Sequence, residues 1–177
     1  MIKLRQFSEA EGWKLLRELR NHPETVASLG ANFRFISNDA INQLCQKWAL
    51  LDSTVERCII WDTEAEYHKE LGLTIGFVSL TSIDFLNQSA EFSIELIPAA
   101  QGKGHGLAAT KAMLEHGFND LNLHRIYLKV LEDNKSAIGC YLKAGFTVEG
   151  CLKDSIFKQG KFKNQVIMSI LAEDFHA

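Results

Sequence analysis

A glycine loop set between a strand and a helix constrains this chain more than any other feature. Residues 90–97 read AEFSIELI, a β-rich run, and Pro98 follows. Gln101-Gly102-Lys103-Gly104-His105-Gly106 comes next, and Leu107, Ala108, Lys111, Met113, Leu114 and Phe118 continue in a helical pattern. A strand that turns through such a loop into a helix packs the helix back on the sheet, which predicts a layered fold. The glycines also let the backbone adopt φ > 0 and approach a ligand, while free N–H groups at the helix start point at phosphate oxygens. A glycine-rich turn that only caps the helix is the plainer alternative.

The flanking sequence predicts a mixed sheet. Ile2-Lys3-Leu4-Arg5 alternates apolar and polar, the period of a half-buried strand. Ser8 and Glu11 form a capping box ahead of Trp13, Leu15, Leu16 and Leu19, and Asn21-His22-Pro23 ends that helix. Ser37 predicts the cap of a second helix, with Ile41, Leu44, Cys45 and Trp48 along one stripe. Residues 58–61 and 73–80 read as strands, and the loop with Asp84, Asn87 and Gln88 joins 73–80 to 90–97 as a hairpin or meander. Beyond the glycine loop come a strand at 126–130, a helix over about 135–143 ending at Gly145, and strands near 146–148 and 166–171. The expected class is α/β, an α+β mixed sheet, formed by residues 1–177 as one domain.

Composition removes other classes. With 46% hydrophobic and 23% charged residues, the chain is neither disordered nor collagen-like. A net charge of -3 argues against a general nucleic-acid footprint. Cys45, Cys58, Cys140 and Cys151 show no CxxC spacing, which predicts small buried thiols of a reducing compartment, not zinc or redox motifs. Neither a signal-peptide core nor an apolar run of transmembrane length is found. A soluble cytoplasmic protein is expected, with no nucleic-acid or membrane partner.

The phosphate ligand can be narrowed from spacing. A nucleotide-triphosphate loop needs Gly-Lys-Ser/Thr, whereas Gly104 is followed by His105. Gly104-His105-Gly106-Leu107-Ala108-Ala109 fits the relaxed dinucleotide pattern, but that pattern follows the first strand of a parallel βαβ unit. Glu132 keeps this option open. Asn134 and Tyr141 stand two helical turns apart on the next helix, which Gly145-Phe146 ends.

QGKGHGLA and Asn134-x-x-Ala137-x-x-x-Tyr141-x-x-x-Gly145-Phe146 together resemble the two acetyl-CoA motifs of the GCN5-related N-acetyltransferase (GNAT) superfamily. Residues 123–128 (LHRIYL) and 146–150 (FTVEG) look like the branch holding ribosomal-protein alanine and spermidine acetyltransferases. Arg20-Asn21-His22-Pro23 with residues 148–153 is also similar to acetyltransferases of nucleotide-linked amino sugars. The resemblance implies a twisted, mostly antiparallel sheet, splayed near Leu96 to Pro98 and flanked by helices, with acetyl-CoA as co-substrate and no metal. It further implies that Leu96 pairs with the pantetheine amides through its backbone. N–H groups of Gln101, Gly102, Lys103, Gly104, His105, Gly106 and Leu107 would hold the pyrophosphate, Asn134 would contact pantetheine, and Tyr141 would face the sulfur. A homodimer is implied too, with residues 162–171 at a sheet edge that needs covering.

Amine attack on a thioester needs a base for the ammonium proton and an acid for the leaving thiolate. Tyr141 is the candidate acid, with a packing role as its alternative. Glu91, Ser93 and Glu95 share one strand face, and Glu95 stands nearer the glycine loop, making it the candidate base. Glu91, a water chain, or a solvent-facing role for both carboxylates remain open, and His105, His116 and His124 are further titratable groups. Three functions are compatible: acetylation of a small-molecule amine (polyamine or amino sugar), of a protein N-terminus or lysine, or acetyl-CoA binding without catalysis. Intact Tyr141 speaks against the last. Residues 27–35 carry no carboxylate and one arginine, Arg34, which departs from the acidic clusters of spermidine acetyltransferases. Phe33 and Phe35 could line an apolar or sugar-stacking pocket there.

Overall fold

Serine caps open two of the helices as the sequence predicts. The computed structural model describes residues 1–29, 36–50, 52–64, 67 and 70–176. Ser8 Oγ accepts the Glu11 N–H (3.4 Å) and donates to Glu11 Oε2 (2.8 Å), starting α1 (Glu9–Asn21). Ser37 Oγ accepts the Ala40 N–H (3.2 Å) at the start of α3 (Asn38–Ala49). Between them Pro23 both follows the end of α1 and opens α2 (Pro23–Ser28). Proline suits the first helical position because its missing N–H would have no partner there.

Seven strands form a single sheet in the order β1-β2-β3-β4-β5-β7-β6. They are β1 (Ile2–Gln6), β2 (Glu56–Asp62), β3 (Thr74–Asp84), β4 (Ser89–Leu96), β5 (Arg125–Leu131), β6 (Thr147–Lys158) and β7 (Lys161–Leu171). Every neighbouring pair is antiparallel except β4 with β5. The mixed α/β class with a mostly antiparallel sheet is therefore the observed one. The edge expected at 162–171 is corrected: β7 lies inside the sheet between β5 and β6, and the edges are β1 and β6. Both C-terminal strands are also longer than the sequence suggested. β6 is mostly solvent-exposed, so it lacks the buried alternation that marks a strand.

Helices cover both faces. Trp48 of α3 meets Phe77 at 5.4 Å between ring centroids, and Phe77 is cross-strand from Glu95, so α1 and α3 lie on the Glu95 face. On the other face Phe92 meets Tyr141 of α5 (Lys135–Lys143) at 6.0 Å, and Leu80, cross-strand from Phe92, packs beside Gly117 just beyond α4 (His105–Glu115). Leu15, Leu16 and Leu19 on one side and Met113 and Leu114 on the other are fully buried, each worth ~1.5–3 kcal/mol in transfer terms.

One seam of the sheet is short. β3 pairs with β4 from Gly76↔Leu96 back to Asp84↔Ser89. β4 and β5 pair only through Ser89↔Arg125, Ala90↔Ile126 and Glu91↔Tyr127. Beyond Glu91 the two strands part, as the resemblance implied, and a wedge opens towards Leu96.

Candidate active site

The wedge holds a cleft of about 980 Å³. Its walls include Phe92, Glu95 and Leu96 of β4, Lys129 and Val130 of β5, Asn134 and Tyr141 of α5, and Thr25 and Leu29 of α2. The glycine loop closes one end through Gln101, Gly102, Gly104, Gly106 and Leu107. All but two of the residues expected at the site thus border one opening.

The loop leaves its backbone N–H groups open towards the cleft end. Gly102 (φ 72°) and Gly104 (φ 84°) are left-handed, and a Cβ at either position would meet open space. Gly104 is the N-cap of α4, no side chain caps that helix, and its ladder begins with the Ala108 N–H on the Gly104 carbonyl. Among the described residues no acceptor meets the N–H groups of 102–107. A helix start in this state attracts negative charge. Lys129, Lys135 and Lys143 add positive charge to the cleft walls.

Several expected contacts are rearranged. The Gln101 N–H is not free: it donates to the Pro98 carbonyl (3.0 Å), because residues 98–100 form a short 3-10 turn. Its side-chain amide donates to the Leu96 carbonyl (3.0 Å), the group expected to meet pantetheine. Lys103 places Nζ 4.2 Å over the Tyr67 ring, and His105 Nε2 lies 2.8 Å from Tyr67 Oη, so neither side chain lines the cleft. Asn134 is the N-cap of α5, its Oδ1 accepting the Ala137 N–H (3.1 Å). It still borders the opening, but one side-chain oxygen is committed to the helix.

Tyr141 and Glu95 reach the cleft from opposite faces of the sheet. Tyr141 is buried against Phe92 and Phe146, and burial pushes its hydroxyl far above the usual phenol range, with Cys140 contributing. The hydroxyl therefore keeps its proton at neutral pH. Glu95 is also buried, which pushes its carboxyl up, while Arg20 and Arg57 pull it down. Arg20 Nη2 donates to Oε1 at 3.0 Å; Oε2 is buried with no hydrogen-bond partner among the described residues. Sequence spacing could not reveal Arg20, which stands 75 positions away. Glu91, the other carboxylate on this face, pairs with Lys129 at 3.4 Å.

His116 and His124 do not line the cleft. The stretch with Phe33, Arg34 and Phe35 lies outside the described residues. All four cysteines are free; Cys45 is buried and pushed up to about 11, whereas Cys151 is exposed, contrary to the expectation of burial. No described helix is long and apolar enough to cross a membrane.

Comparison with known proteins agrees with this architecture. The acetyltransferase (GNAT) domain model matches residues 2–147. A spermidine N(1)-acetyltransferase of Escherichia coli K12 is 39% identical over 106 residues, covering 60% of this chain but only 57% of that protein. The spermidine N(1)-acetyltransferase of Vibrio cholerae is 32% identical over 155 residues, 88% of this chain and 85% of the other. A crystal structure of the Vibrio cholerae spermidine N-acetyltransferase in complex with CoA and spermine superposes with a TM-score of 0.86 at 28% identity, covering 98% and 96% of the two chains. The chain belongs to the GNAT acetyltransferase family.

Proposed function

We propose that residues 1–177 act as one acetyltransferase domain that moves an acetyl group from acetyl-CoA to a primary amine of a small molecule, a polyamine foremost. The wedge between β4 and β5 carries the reading: an uncapped helix start borders one end, and buried Tyr141 and largely buried Glu95 line its walls. The relatives named for spermidine, and the neighbour holding CoA and spermine, support the polyamine class.

The chemistry follows from these groups. Glu95 Oε2 takes a proton from the acceptor ammonium, and the neutral nitrogen attacks the acetyl carbonyl. The C–N bond forms, the C–S bond breaks, the Tyr141 hydroxyl protonates the leaving sulfur, and the proton shed by the new amide nitrogen restores the phenol. Burial keeps the phenol protonated for the acid role, and Arg20 with Arg57 counters the upward push of burial on the carboxyl that acts as base. The α4 start, from Gly102 to Leu107, would hold the pyrophosphate. The reaction as written uses no metal. We further infer a homodimer working in the cytoplasm; exposed apolar side chains along β6 and a set of free thiols support those readings.

Thiol release from acetyl-CoA, measured against spermidine, amino sugars and peptides, tests the acceptor class. Spermidine should give the highest kcat/KM; a peptide in that place would make the enzyme a protein acetyltransferase. In the same assay Tyr141→Phe should lower kcat by ~10²-fold or more and change acetyl-CoA affinity by less than about tenfold. Unchanged kcat would leave Tyr141 as packing.

A further inference from the structure

The two oxygens of Glu95 stand in unlike situations. Oε1 is held by Arg20 at 3.0 Å, whereas Oε2 is buried and meets no partner among the described residues. A carboxylate shielded from water normally uses all its acceptor capacity, and an idle oxygen is costly. Arg20 comes from the last turn of α1, on the side from which α2 borders the cleft with Thr25 and Leu29. It is itself only 21% exposed at the side chain, and Glu95 only 12%.

The surroundings define what else acts on this carboxylate. From β2, Arg57 adds a second positive charge; its guanidinium lies 3.9 Å over the Trp48 ring of α3, and Asp52 also attracts it. From β3, the cross-strand neighbour is uncharged Phe77. Along β4, Glu91 shares the face but is engaged by Lys129 of β5. Arg20 is thus the one cation among the described residues that hydrogen-bonds Glu95.

We propose that Arg20 is a positioning residue for acetyl transfer: it fixes Oε1 of Glu95 and leaves Oε2 as the oxygen that meets the acceptor ammonium. The proposal rests on the reading of Glu95 as base. It explains why Glu95 in the cleft wall is held by a largely buried ion pair, a poor source of stability. A single donor on one oxygen keeps the carboxyl oriented, whereas donors on both would leave nothing to accept a proton. Arg20 also counters part of the upward push that burial gives the Glu95 carboxyl.

The test titrates Glu95 directly by carbon NMR of side-chain-labelled glutamate, with Glu95→Gln assigning the signal. The same proteins are then assayed for kcat/KM with spermidine across pH at saturating acetyl-CoA. Arg20→Gln should raise the Glu95 titration by about one to three pH units and move the acidic limb of kcat/KM upward equally. Its KM for acetyl-CoA should change less than about twofold, and Arg20→Lys should restore most of the shift. A Glu95 titration unmoved in folded Arg20→Gln overturns the proposal, as does a moved titration with an unmoved limb. If Glu95→Gln keeps the wild-type limb, the base reading fails, and Arg20 falls with it for that separate reason. Arg20→Met, which keeps the apolar stem, carries the same readings if Arg20→Gln does not fold; the NMR arm needs no substrate.

Discussion

Gly104 holds φ at 84°, a backbone conformation that a β-branched residue adopts only under strain, and it does so where the first N–H groups of α4 must stay open. Gly104→Val should therefore weaken acetyl-CoA binding by tenfold or more, while Lys103→Ala, whose ammonium rests on Tyr67, should change it only severalfold. Calorimetry of both variants decides; equal losses would move the pyrophosphate elsewhere. The glycine pattern and Tyr141 were legible because their chemistry is local. Gln101 was legible as a loop residue, but not its N–H bond to Pro98, which depends on a turn that three ordinary residues make. Asn134 was expected to face the opening beside Tyr141; that it also caps α5 is a matter of φ and ψ, which spacing does not reveal.

Elements with a strong cap or a buried stripe stand close to where the sequence placed them: α1, α3, α5 and the β3–β4 hairpin. α2 escaped because it is a single short turn and a half opened by a proline that also reads as a stop. The five-residue π turn after α4 (His116–Asp120) escaped because its hydrogen bonds, not its side chains, distinguish it. Most of β6 beyond Val148 escaped because its outward groups are mostly exposed, and those groups carry the next expectation. Val148, Leu152 and Phe157 are exposed on β6, and Phe157 meets exposed Phe162 of the adjoining β7 edge-on at 5.2 Å. An exposed apolar edge of this kind invites a second chain. Light scattering at micromolar concentration should give a dimer, and Phe157→Lys with Val148→Lys should give a monomer; a wild-type monomer would remove the dimer proposal.

For the molecule as a whole, acid should loosen the C-terminal half first. Arg125 holds both oxygens of Glu149, at 2.6 and 2.7 Å, and Ser169 donates to one of them, which brings the carboxyl down to about 2. Asp133 is likewise lowered by Lys163. A carboxyl depressed in the folded state stabilises above its unfolded pKa, roughly 4.3, and loses that contribution as pH falls towards the folded value. Burial puts Glu95 on the opposite sign, so its protonation relieves a cost as pH drops. Thermal melts should therefore fall between about pH 4.5 and 2, and Glu149→Gln should flatten that slope while lowering the neutral-pH midpoint modestly, because the pair is half-exposed. The parting of β4 from β5 has a mechanical consequence of its own. Strands β1 to β4 and β5 to β7 are joined in the ladder only at Ser89, Ala90 and Glu91, so few backbone hydrogen bonds hold the two leaves of the sheet together along the wedge. A ligand spanning both leaves acts as a clasp. At a hundred times its dissociation constant, coenzyme A should raise stability by about 2.7 kcal/mol, and hydrogen exchange should slow most at residues 92–96 and 128–131, the lips of the wedge, rather than in the core.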